Sequence, residues 1–211
     1  MPEQINDNCE NTCAGRRIRA AMHPFSIEFL ASCRKFSDLT GETDDKREVR
    51  MYGTSCIVNA ACLLEAKLNE EIAIARICLE KNSDERKRWD EIKEIEQRLS
   101  VSQKWNQVAA LTGGCRWNSG AEPFQSLEII SSLRNEIVHF KGDLVGKNEA
   151  PLRRIAGLMR QLGIKSKATW TEDDCSSWIT DLLSEKLVVR WVSEKITSFD
   201  QQYDVLMHGR S

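Results

Sequence analysis

PFQSLEIISSLRNEIVHFKG, residues 123–142, reads as one long helix that ends in a compact polar group. Leu127, Ile130, Leu133, Ile137 and Phe140 recur every three or four positions, the spacing of a single buried stripe. Pro123 suits a first helical turn, and Gly142 suits the left-handed residue that closes a helix. At about 100° per residue, Asn135 and His139 stand one turn apart and point away from the stripe. Glu128 and Ser132 fall on the same off-core row. Arg134 lies on the flank, where its long side chain reaches either way.

Two readings of Arg134, Asn135 and His139 follow. In the first they belong to a solvated helix face near its end. In the second they line a site. Arg134 supplies a permanent cation with a forked set of donors suited to phosphate oxygens. His139 supplies a group that takes and gives protons near neutral pH. Cleavage of a phosphodiester by its own 2′-hydroxyl needs one group to move protons and another to neutralise charge on phosphorus. That chemistry calls for no metal.

LRNEIVHF, residues 133–140, resembles the R-N-x-x-x-H signature of the HEPN superfamily. TSCIVNAACLLEAKLNE (54–70) resembles the long helix that precedes the motif. KWNQVAAL (104–111) and EPFQSLEIISSLRN (122–135) resemble its run-in, and LLSEKLVVRWVSEKI (182–196) resembles the closing helix. The likeness spans roughly residues 45 to 205 and centres on 123–142. It implies a small all-α bundle of long antiparallel helices that forms a homodimer, with the two motifs facing each other. The implied activity is a metal-independent endoribonuclease without cofactor, of the toxin–antitoxin or phage-defence type. Arg134 and His139 would be its catalytic pair and Asn135 the supporting polar residue. RNA would be the substrate, and an antitoxin or other regulatory protein a possible partner. Some members are non-catalytic and bind RNA, a nucleotide or a protein instead, which is the rival expectation. Members paired with a nucleotidyltransferase-type antitoxin often carry a tyrosine two residues after the histidine. Lys141 stands there in this chain, which counts against that form of regulation.

The 211 residues suffice for one domain with a substantial core, expected over 23–208 behind a polar tail at 1–22. Glycine (11) and proline (4) are sparse, which favours helices over a turn-rich sandwich. A formal charge of −2 excludes attachment to nucleic acid by bulk charge. Any RNA contact must come from a local patch. Lys141, Lys147, Arg153, Arg154, Arg160, Lys165 and Lys167 offer one, against Asp143 and Glu149; an ordinary solvated basic face is the equal alternative. Trp117 beside Arg116 could stack on a base, but a tryptophan in such a loop more often closes the end of a core.

Eight cysteines show no recurring pair at zinc-ligand spacing, so no metal site is expected. Cys56, Cys62 and Cys78 read as small core residues. No segment has the apolar core of a signal peptide or the length of a membrane span, which points to the cytoplasm.

Further helices are expected over 24–39, ended by Gly41, then from a cap at 43–45 to about Leu79, over 83–99, near 103–111, from Pro151 to about Leu162, and from Cys175 to about Met207. Their inward residues include Phe25, Leu30 and Cys33 in the first, Ile95 in the third, Leu152 in the sixth and Leu187 in the last. Glu65 and Asn69, one turn apart on the second, are either a surface pair or a brace for the Arg134 region.

Overall fold

The structure, a computed structural model, describes residues 23–139, 150–166 and 177–209. The tail at 1–22, Phe140, Lys141, Gly142, Lys147, Lys167 and the expected cap at Asp173 and Asp174 lie outside the described residues. Those described form eight α-helices and one short 3-10 turn, with no strand. They are α1 Phe25–Glu42, α2 Lys46–Cys78, α3 Asp84–Ile95, the 3-10 turn Glu96–Arg98, α4 Val101–Thr112, α5 Phe124–Val138, α6 Arg153–Gln161, α7 Trp178–Leu183 and α8 Lys186–His208. No described helix is long and apolar enough to cross a membrane.

Short polar residues set most of the starts. The Asp45 carboxylate accepts the Arg47 amide at 2.8 Å and opens α2. Ser83 accepts the Arg86 amide at 3.1 Å and opens α3. Reciprocal capping boxes open α4 (Ser100 with Gln103) and α7 (Ser177 with Thr180). Gly113, at φ +81°, closes α4 in the left-handed region.

α2 is the pole of the bundle. At 33 residues it is about 50 Å long. α1 packs antiparallel to it. Ser26 at the start of α1 donates its amide (2.9 Å) and hydroxyl (2.6 Å) to Glu70, late in α2. Further along α1, the Cys33 thiol meets the Cys56 carbonyl. α8 runs parallel to α2: Arg50 reaches Ser184, Lys67 pairs with Asp200, and Glu71 meets His208. Gly53 lets the two helices close, since a Cβ there would stand 3.1 Å from Val189.

One core joins these elements, from Leu30 to Met207. Trp105 of α4 sits near its centre, 1% exposed, with ring centroids of Phe124, Phe199 and Tyr203 at 5.1, 5.9 and 5.9 Å. Its indole N–H donates to the Cys115 carbonyl. Leu127, Ile130 and Leu133 of α5 are fully buried, and Ile137 is half-buried.

Several expectations need correction. α1 continues through Gly41 to Glu42, with Thr43 as its extended exit. Phe25 is exposed because Ser26 takes the position facing α2. Cys78, the last residue of α2, is exposed, unlike Cys56. Ile95 is exposed because the chain tightens there into the 3-10 turn, which turns Glu96 inward. Leu152 is the exposed residue ahead of α6, not part of its buried face. Pro123 precedes the first turn of α5 instead of lying in it.

The expected single closing helix is two helices. The Ser184 hydroxyl turns back onto the Thr180 carbonyl and itself accepts from Arg50, and Glu185 leaves the helical region. α8 therefore restarts at Lys186 on a new phase, burying Val188 and Val189 and leaving Leu187 outside.

Candidate functional site

α5 ends at Val138, and His139 is its closing residue at φ −99°, ψ 20°, with its amide bonded to the Asn135 carbonyl. That turn brings the three motif side chains together. Arg134 Nη1 donates to Asn135 Oδ1 at 3.1 Å and stands 3.5 Å from His139 Nε2. A guanidinium only donates, so the second contact requires Nε2 to be the unprotonated ring nitrogen. Asn135 and His139 are exposed and Arg134 is half-buried, as expected of a residue on the flank.

Arg134 and Asn135 line a cleft of about 780 Å³. Glu65 and Asn69 of α2 line it too, so this pair shares the cleft with the motif. The Arg134 charge also reaches Cys62 on α2. Burial pushes the Cys62 thiol up and Glu65 pushes it further, while Arg134 opposes them. Lys104, Glu96, Glu128 and Trp117 also line the cleft. The cleft's ionisable groups balance, with Glu65, Glu96 and Glu128 set against Lys104, Arg134 and Arg154.

Trp117 packs on Trp105 and Phe124, with ring centroids at 6.0 and 4.7 Å, and its indole N–H donates to Glu128 at 3.0 Å. It closes the end of the core and also walls the cleft. Arg154 is ion-paired to the other oxygen of Glu128, so that part of its charge is already engaged. Arg153 is exposed and makes no ion pair among the described residues. Lys141 and Lys147, the patch members nearest the motif in sequence, lie outside the described residues.

Lys104 and Glu96 escaped the reading of the sequence. Lys104 is only 8% exposed, and its ammonium donates to Asn69 Oδ1 at 2.9 Å, with no carboxylate partner among the described residues. Glu96 is 9% exposed; one oxygen pairs with Lys93, and the other is enclosed without a hydrogen bond. A signal was available. Lys104 falls between Val101 and Val108 at stripe spacing, and Glu96 continues the Trp89–Ile92 stripe. A charge in a position that the period reserves for apolar side chains marks a polar wall.

These features define a helical bundle with an Arg–Asn–His corner, of which Arg134 and Asn135 line a charge-balanced cleft. No family model, curated protein or solved structure matches the chain. Among the described residues, no group of three or more His, Cys, Asp or Glu side chains is placed to hold a metal ion.

Proposed function

We propose that this chain is a HEPN-like endoribonuclease that cleaves RNA by attack of the 2′-hydroxyl, acts as a homodimer, and serves in toxin–antitoxin or phage-defence systems in the cytoplasm. The observation that carries this reading is the convergence of Arg134, Asn135 and His139 on an exposed helix end beside a cleft. His139 Nε2 takes the proton from the 2′-hydroxyl. The 2′-oxygen then bonds to phosphorus and the bond to the 5′-oxygen breaks, leaving a 2′,3′-cyclic phosphate. The departing 5′-oxygen takes a proton from the second histidine of the dimer and becomes a hydroxyl. Arg134 donates from its guanidinium fork to the non-bridging oxygens as their charge grows. Asn135, already accepting from Arg134, orients the guanidinium. Asn135 and His139 are exposed, so both are accessible to RNA and to a second copy.

The test is RNA cleavage in the presence of EDTA, with folding of every variant checked by circular dichroism. The wild-type chain should cut and leave cyclic-phosphate ends. His139→Ala should lose about 10²–10⁴-fold in rate, the usual worth of a general acid–base group. Arg134→Ala should lose on the order of 10²-fold or more, as removal of a charge-stabilising donor does. Intact RNA with the folded wild-type chain, or variants that cut equally well, would overturn the reading.

A further inference from the structure

The cleft beside the motif holds two charged side chains that an ordinary core would not bury. Lys104 uses one of its three ammonium donors, on the Asn69 carboxamide, and has no ion-pair partner among the described residues. Glu96 pairs one carboxylate oxygen with Lys93 and keeps the other, enclosed, without a hydrogen-bond donor among the described residues. Each is costly to enclose unless something completes its hydrogen bonding. The volume, about 780 Å³, lies within the range of small-molecule sites, roughly 300–1,000 Å³.

Charge decides what kind of group fits. With three carboxylates against three cations, the cleft offers no net attraction to a phosphate. The guanidinium suited to phosphate is Arg134, beside His139. What the lining offers instead is a cationic donor, an anionic acceptor and the indole of Trp117. That combination suits an uncharged, flat group with both donors and acceptors on its edge, which describes a nucleobase. Among the bases, guanine carries a carbonyl acceptor next to two N–H donors on one edge. Lysine favours the guanine carbonyl, and a carboxylate favours paired N–H donors. Uracil would turn a carbonyl toward the carboxylate on either side of its single N–H.

We infer that the cleft lined by Lys104, Glu96 and Trp117 is a guanine-binding pocket that selects the nucleotide next to the bond cut at Arg134 and His139. Lys104 donates to the base carbonyl. A turn of the Glu96 side chain toward the cleft brings its spare oxygen to the base N–H groups. Trp117 flanks the ring. The selection of a cut site rests on the ribonuclease reading, whereas guanine binding does not.

The experiment titrates the full chain with guanosine, adenosine, cytidine, uridine and inorganic phosphate in separate runs, following tryptophan fluorescence and calorimetry. Guanosine should bind at least about tenfold more tightly than the other three nucleosides, the scale of a hydrogen bond to a charged group. Phosphate alone should not compete. Glu96→Gln keeps the shape of the side chain and should lose about tenfold in guanosine affinity, as should Lys104→Met. Arg190→Ala, an exposed residue of α8 away from the cleft, should leave guanosine affinity within about twofold. Equal binding of all four nucleosides, no binding, saturation by phosphate, or guanosine affinity untouched by both pocket variants would each overturn the pocket. Mapping of cut sites separates the two readings. Cleavage without a guanosine-selective pocket leaves the ribonuclease standing and removes this inference. Guanosine binding that depends on Glu96 and Lys104, in a chain that cuts no RNA, does the reverse.

Discussion

Arg134, Asn135 and His139 come together within little more than one helical turn. Asn135 is bonded to Arg134, not to a distant element. On the proposed ribonuclease reading it orients the guanidinium, and Asn135→Ala should slow cleavage by about tenfold, less than loss of Arg134 or His139, because it removes one orienting hydrogen bond. Trp117 has a different dependence. Its ring contacts with Trp105 and Phe124 belong to the core, while its N–H belongs to Glu128. Trp117→Phe keeps the first and removes the second, and should cost about 1–2 kcal/mol in urea unfolding at neutral pH. Of these residues, Arg134, Asn135 and His139 were legible in the sequence because they are local: one helical period places all three. Lys104 and Glu96 were legible only as charges at stripe positions; that both line one cleft depends on how α4 and the 3-10 turn pack against α2.

Among the elements, the joint between α4 and the end of α8 is the tightest. The Cys115 amide donates to the Leu206 carbonyl at 2.8 Å, and a Cβ on Gly114 would stand 2.3 Å from the Met207 carbonyl oxygen. That atom is backbone and cannot swing aside. Gly114→Ala should therefore destabilise by about 1–3 kcal/mol through overpacking. Gly113→Ala meets open space and pays only for its positive φ, about 1–2 kcal/mol. Comparing the two by thermal unfolding separates packing from backbone strain. Helix starts were readable because an Asp or Ser before an apolar period states its own chemistry, as at Asp45 and Ser83. The break at Ser184 was not. The apolar residues on either side still satisfy a helical spacing, and a period cannot report that the second helix begins on a rotated phase.

Across the whole molecule, a few carboxylates tie distant parts of the chain together. Hydrogen bonds from Arg76 and Arg86 hold Asp90 below the usual carboxylate range, fastening α3 to the end of α2. Lys186 does the same for Asp44, linking the start of α2 to the start of α8. A carboxyl whose folded pKa is lowered stabilises the fold above its unfolded value, about 3.9 for aspartate, and that stabilisation is lost as pH falls through the folded pKa. Asp90→Asn should therefore melt below the wild type at pH 7. The gap in Tm should close as pH drops below about 4, and calorimetry across that range checks it. α2 carries the widest consequence. Between residues 61 and 69 it buries Leu63, Leu64 and Leu68 on one side and shows Glu65 and Asn69 to the cleft on the other. The amides of that segment should then be among the slowest to exchange with deuterium, as those of the core are. Because this side of the cleft is also a side of the core, adjustment to a bound molecule would fall to the lining side chains of the other elements.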